Sequence, residues 1–197
     1  MTQVVPSYDG DNRSRRGTSI SVITVSYNAG AVIGRTIESV LGQTYENIEY
    51  IIIDGGSTDD TKEIVSQYKG RIDLFISEPD RGLYHAMNKG LQCATGDYVG
   101  WLNADDFFSS PTAIAKIANS ADSTPDIISG GVDIIGPPPR ERVIRRFRPS
   151  RDCVRQLKYG VTPPHPAFYV RRSSVMSKVG LYNEKYRISA EREPLVS

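Results

Sequence analysis

The chain has 197 residues, of which 39% are apolar and 24% charged, and a net charge of +1. That length fits one domain with an incomplete further part, and the composition is enough for a buried core. Near-neutral charge excludes nucleic acid as the main partner, because such binders carry a strongly basic face.

Residues 1–18 are polar, glycine-bearing and aperiodic, with basic residues clustered from Arg13 to Arg16. They read as a disordered basic tail, leaving 19–197 as the folded domain. ISVITVSYN (20–28) is almost continuously apolar and β-branched, which suits a strand buried on both faces of a parallel sheet. Ile33, Ile37, Val40 and Leu41 then form one apolar helical stripe. A second buried strand (48–53) delivers Asp54 to its carboxyl end, ahead of Gly55-Gly56. Ser57 and Asp60 have capping-box spacing, so Asp59 and Asp60 are assigned to starting the next helix.

IDLFISE (72–78) is a third strand, followed by the loop Pro79-Asp80-Arg81-Gly82 and a short helix over 83–94. Thr95-Gly96-Asp97 turns into YVGWLNADDFF (98–108), where an apolar run stops at adjacent carboxylates, Asp105 and Asp106. Pro111 suits the first position of another helix, with Ile114 and Ile117 on its stripe. DIISGGVDII (126–135) reads as one strand, ended by three prolines. ERVIRRFRP (141–149) alternates weakly, as an edge strand or lip. Residues 152–158 are helix-like, and PPHPAFYVRR (163–172) is a proline-bounded strand. Such an order predicts an α/β fold: a doubly wound, mostly parallel sheet flanked by helices.

Cys93 and Cys153 lack metal-ligand spacing and read as reduced thiols. With no signal-like segment and no run long enough to span a bilayer, the expectation is a cytoplasmic protein.

Successive strands end in polar or acidic groups: Tyr27 and Asn28, then Asp54, then Asp105-Asp106. In a parallel sheet all of these converge on the carboxyl edge, the ligand crevice of a doubly wound fold. Paired carboxylates without a neighbouring Cys or His suit Mg²⁺ or Mn²⁺ holding substrate phosphates. The competing reading is a solvated acidic turn. Asp54 is suited to accept from a base N–H or a ribose hydroxyl. Arg81 is suited to a diphosphate, its alternative being a loop charge paired with Asp80. The sequence has neither G-x-x-x-x-G-K-[ST] nor G-x-G-x-x-G after the first strand, which disfavours P-loop NTPases and dinucleotide oxidoreductases.

SVITVSYN, YIIIDGGSTDDT, EPDRGLYHAMNKG and GDYVGWLNADD, in this order, resemble the family 2 inverting glycosyltransferases of the GT-A fold. The likeness is nearest to the bacterial type that builds exopolysaccharide, colanic-acid-like and lipopolysaccharide chains. The resemblance implies a nucleotide-diphosphate sugar donor, UDP- or GDP-linked, a glycan or polyprenyl-linked acceptor, and Mn²⁺ or Mg²⁺. It implies base contacts from Tyr27 and Asp54 and a ribose or diphosphate contact from Arg81. Asp105 would hold the ribose or support the metal, and Asp106 would ligate the metal. The family's catalytic base maps to Glu191, where relatives commonly carry Asp. The sequence diverges after that position, so a frayed terminal Glu is the competing reading. His165 is placed near the acceptor or metal, or else is a structural histidine between two prolines. Asn88 and Lys89 are read as positioning the loop, and Trp101 and Tyr98 as core aromatics.

Two other readings compete: a nucleotide- and metal-binding fragment without turnover, and a sugar-1-phosphate nucleotidyltransferase. The latter wants a basic, glycine-rich loop after the first strand, and SYNAGAVIG has no basic residue before Arg35. The basic residues between Arg140 and Arg155 are either a solvated face or a peripheral contact with anionic lipid at the inner face of the cytoplasmic membrane.

Overall fold

The computed structural model describes residues 3–6, 17–122, 124–136, 141–148 and 165–185. Its centre is a run of parallel strands that fit the expected buried pattern. They are β2 (Ile20–Ser26), β3 (Ile48–Asp54), β4 (Leu74–Ser77) and β5 (Tyr98–Trp101). The seven-stranded sheet has the order β1 (Gln3–Pro6), β4, β3, β2, β5, β9 (Phe168–Arg171), β6 (Ile127–Ser129). β4, β3, β2 and β5 are mutually parallel, with Ser26 opposite Asp54 and Asp54 opposite Ser77. This is the mostly parallel α/β sheet that the sequence pattern requires.

Both faces are covered, which explains the near-continuous apolar runs. Ile20, Val22, Tyr50 and Ile52 pack on one face with Ile33, Ile37 and Val40 of α1 (Gly30–Leu41) and Ile114 of α4 (Ala113–Asn119). Val65 of α2 (Thr61–Ser66) joins them. The alternate residues Ile23, Val25, Ile51 and Ile53 pack on the other face with Tyr84, Met87 and Leu91 of α3 (Leu83–Cys93). Trp101 and Tyr98 are core aromatics, 2% and 3% exposed.

Three expectations change, and one strand gains a direction that the sequence left open. Gln3–Pro6, inside the segment expected to be a disordered tail, forms β1, antiparallel to β4. Two β-branched valines favour pairing there, and a proline is tolerated on an edge strand. The single strand expected over 126–135 is two. β6 (Ile127–Ser129) stays in the main sheet, and β7 (Val132–Ile135) leaves it to pair with β8 (Val143–Phe147). Gly130-Gly131 separates them, since glycine neither packs nor holds a strand well. The proline-bounded strand, β9 (Phe168–Arg171), runs antiparallel between β5 and β6. Finally, Pro111 precedes α4 by two residues and does not open it. The helix-like stretch 152–158 and Cys153 lie outside the described residues. Among the described residues, no helix is long and apolar enough to cross a membrane.

Candidate active site

Parallel pairing brings the tips of β2, β3, β4 and β5 to one edge, and the acids there stand in two different environments. Asp54 is fully buried. Ser26 Oγ donates to its Oδ1 at 3.1 Å, Ser77 Oγ to its Oδ2 at 2.7 Å, and Ser57 N to Oδ2 at 2.9 Å. Ser57 Oγ also donates to Oδ1. A polar group taken out of water needs such partners to offset the water it loses. Asp54 therefore bolts three strand tips together beneath the surface. With both oxygens occupied by protein donors, Asp54 is engaged in holding the strand tips and not turned to the base contact expected of it.

Ser57 is spent in the same network and is not the cap of α2. Its Oγ accepts from Asn28 N at 2.7 Å, and Asn28 Oδ1 accepts from Thr58 N at 2.9 Å. Asn28 adopts φ +49°, a conformation asparagine tolerates, so the chain turns sharply after β2. Tyr27 is left 66% exposed at that tip. Helix starting falls to Asp59, which accepts from Thr61 N at 3.1 Å and from Gly30 N at 3.0 Å. One carboxylate thus serves the first turns of α1 and α2. The Thr61 hydroxyl and the Gly30 N–H hold the Asp59 carboxyl below its ordinary range.

The tip of β5 is open. Leu102 N still bonds Ile23 O at 2.9 Å, after which Asn103 and Ala104 turn the chain out to Asp105 and Asp106. The Thr36 hydroxyl of α1 lies 2.7 Å from Ala104 O and 2.8 Å from Asp106 O, and Ser39 Oγ accepts from Phe108 N at 3.1 Å. Helix α1 thereby grips the loop from behind. Asp105 is exposed and Asp106 is partly buried. Among the described residues, Asn103 is what donates to the Asp106 carboxylate, its Nδ2 at 3.2 Å and its backbone N–H besides. Burial first, and the Asp105 charge second, push the Asp106 carboxyl above its ordinary range. A site that penalises two adjacent negative charges is one that a cation relieves.

Among the described residues, no three His, Cys, Asp or Glu side chains converge as a metal cage. The chemistry of the donor set still fits Mg²⁺ or Mn²⁺. These ions commonly take one or two carboxylates and fill their shell with water and substrate phosphate oxygens. Asp105 and Asp106 are the residues that could hold one.

The loop after β4 forms the third wall. Arg81 pairs with Glu184 at 2.7 Å and not with Asp80, a pair exposed on the arginine side. Glu184 and Tyr182 are held in turn by Asn88, whose Nδ2 donates to Tyr182 O at 2.9 Å and whose Oδ1 accepts from Tyr182 N at 2.8 Å. Lys89 reaches Glu78 at 2.6 Å. Both α3 residues position loops at this edge. The sequence offered no sign of Glu184, whose link to α3 spans 96 residues.

His165 opens the turn His165–Ala167 ahead of β9. Antiparallel pairing of β9 with β5 puts that turn at the same edge as Asp105-Asp106. Glu191 lies outside the described residues. A polar cavity of about 280 Å³, lined by Asp97, Arg171 and Arg172 among others, sits at the opposite, amino-terminal edge, away from these acids.

Comparison with known proteins agrees with this geometry. The profile of Glycosyl transferase family 2 matches residues 21–180. An uncharacterized glycosyltransferase of Mycobacterium tuberculosis is 33% identical over 186 residues, covering 89% of this chain and 66% of that protein. A PGL/p-HBAD biosynthesis glycosyltransferase of Mycobacterium bovis is 29% identical, covering 87% and 66%. The chain thus spans a little under two thirds of these relatives. Among solved structures, S. aureus TarS in complex with UDP superposes with a TM-score of 0.72 at 19% identity, covering 90% of this chain and 54% of that one. The mannosyltransferase PcManGT of Pyrobaculum calidifontis, in complex with GDP-Man and Mn²⁺, gives 0.64 at 19%, covering 96% and 52%. These two likenesses establish the fold. With the profile covering most of its length, the chain belongs to glycosyl transferase family 2.

Proposed function

We propose that this chain moves a sugar, with inversion, from a nucleotide-diphosphate donor to a glycan or polyprenyl-linked acceptor in the building of cell-surface polysaccharide. The observation that carries the reading is the open tip of β5, where a partly buried Asp106 stands beside a second carboxylate. The envelope pathway is supported by the motif resemblance and by the similarity to the PGL/p-HBAD biosynthesis glycosyltransferase of Mycobacterium bovis.

In this reading Tyr27 offers a ring for the base, and Asp54 keeps the strand tips in register. Arg81 exchanges its exposed partner Glu184 for the donor's diphosphate by charge-assisted hydrogen bonds. Asp105 and Asp106 would hold Mn²⁺ or Mg²⁺. The ion supplies charge neutralisation for the leaving group. The acceptor hydroxyl attacks the anomeric carbon from the face opposite the diphosphate. One C–O bond forms as the other breaks, through an oxocarbenium-like transition state. The acceptor's proton passes to a carboxylate, assigned to Glu191 by its place in the sequence. His165 is assigned to the acceptor side. The hairpin of β7 and β8 exposes Ile144 beside Arg145, which supports peripheral contact with anionic lipid at the inner face of the cytoplasmic membrane. Vesicle co-sedimentation unchanged by Arg145→Glu with Arg146→Glu would remove that part.

Calorimetric titration of UDP-, GDP-, CDP- and dTDP-sugars with Mn²⁺ tests the core of the proposal. One nucleotide is expected to bind, and Asp106→Ala to abolish the metal dependence. Metal-dependent binding without transfer or donor hydrolysis would favour the second reading, a chain that binds nucleotide and metal without turnover.

A further inference from the structure

Asp54 has no oxygen to spare for a ligand, yet another carboxylate stands at the rim just above it. Asp80 lies so close over Gly55 that a Cβ placed on that glycine would fall 2.7 Å from Asp80 Oδ2 and 3.1 Å from its Cγ. The next residue is as tightly covered. A Cβ on Gly56, at φ +82°, would meet Pro79 N at 3.0 Å. The glycine pair is therefore the bed on which the Pro79-Asp80 turn rests, and it sets the Asp80 carboxylate between the tips of β3 and β4. Asp80 Oδ1 accepts from Gly82 N at 2.8 Å, which fixes the rotation of the carboxylate. Among the described residues, no hydrogen-bond donor is seated on Oδ2. A half-buried carboxylate held by one oxygen, with the other vacant at a ligand edge, is an acceptor waiting for an N–H or O–H.

We propose that Asp80 reads the base of the donor nucleotide, its Oδ2 accepting an imino N–H, so that the site takes uracil or guanine and rejects cytosine. The inference rests on the donor-binding reading above and adds to it the group that sets base choice. Uracil N3 and guanine N1 each carry a proton on the pairing edge. Cytosine N3 presents a lone pair there, which would face the carboxylate without a proton between them. Sites built to hydrogen-bond a group discriminate strongly against an analogue that lacks it, because the buried partner is left unpaired. The exposed Tyr27 at the adjacent tip of β2 is the aromatic available to stack on such a base.

Titration of UDP, GDP and CDP into the chain with Mn²⁺ tests this directly. The parent is expected to bind UDP or GDP at least about tenfold more tightly than CDP. Asp80→Asn keeps an acceptor for Gly82 N but replaces Oδ2 by a donor. It should weaken the preferred nucleotide about tenfold or more and shrink or invert its lead over CDP. Asp80→Ala should lose the preference as well, and adding Gly55→Asp should restore it, because the Gly55 Cβ points into the space that Asp80 occupies. Thermal unfolding run on the same samples shows that the loop change has not cost the fold. If Asp80→Asn keeps the parental affinities and ranking, the assignment is overturned. Should Asp106→Ala still abolish Mn²⁺-dependent binding in that case, only the role of Asp80 falls and the donor site stands. A parent chain that binds none of the three nucleotides overturns both.

Discussion

The tips of β3 and β5 look alike as text, an apolar run ending in aspartate, and they are opposites in the folded chain. Asp54 is sealed, its two oxygens saturated by donors from β2, β4 and the following turn. Asp106 is half-sealed, short of donors and pressed against Asp105. Both carboxylates lose water on folding, and the protein donors that offset the loss are fewer at β5 than at β3. The remainder at β5 is a standing demand for positive charge. The same residue type at the same edge is therefore a structural bolt in one place and an open carboxylate, proposed above to bind the donor's metal, in the other.

The largest expected effect separates the two tips by function. Asp106→Ala should lower transfer activity by about a hundredfold to a thousandfold, as when a group stabilising developing charge is removed, while leaving the melting temperature unchanged or raised. Steady-state transfer and thermal unfolding on one preparation check it. Asp54→Ala should do the reverse in kind. Losing the common acceptor of Ser26, Ser57 and Ser77 leaves buried donors unpaired and should cost about 3 kcal/mol of stability, read by urea denaturation. A destabilised Asp106→Ala beside a stable Asp54→Ala would break the distinction.

Protonation sharpens it further. The Asp106 carboxyl is raised in the fold above its ordinary value of 3.8, so its charge costs stability above the folded value, and that cost disappears as pH falls below the unfolded one. Asp106→Asn should therefore be more stable than the parent at neutral pH, with the two converging in acid. The same proton competes with the metal. Mn²⁺-dependent nucleotide binding should fade on acidification at a pH above the ordinary carboxylate range, and Asp105→Asn should move that midpoint downward by removing the second cause of the shift. Calorimetry across pH would show both.

The smallest effect concerns the loop after β4. The Arg81 side chain is 74% exposed in its pair with Glu184, so Arg81→Ala should change stability by less than about 1 kcal/mol. Its consequence should instead be weaker binding of nucleoside diphosphates than of nucleosides. Asn88→Ala, which frees Tyr182, should cost more stability than Arg81→Ala by chemical denaturation, because its partners are partly buried.

Much of this fold was legible in the sequence because its signals are local. The β-branched runs of β2 and β3 reveal strands buried on both faces, and spacing on α1 reveals which residues meet the sheet. Asp105-Asp106 stood out because the interruption of an apolar run is itself a local event. Ser57 misled for the same reason. Its spacing to Asp60 matched a cap, but its hydroxyl donates to Asp54 of β3 and accepts from Asn28 N instead of from the helix. The placement of β9 between β5 and β6, and the split at Gly130-Gly131, depended on pairings between residues distant in the chain.

The sequence by itself determined the class of sheet, the edge where acids gather and the family, since periodicity, strand ends and motif order are properties of short segments. Only the tertiary structure decided which aspartate is spent and which is open. It also decided that a glycine pair makes room for Asp80, and that Arg81 meets Glu184. Those outcomes turn on which donors and acceptors come within about 3 Å of one another, and that distance is set by packing between elements far apart along the chain.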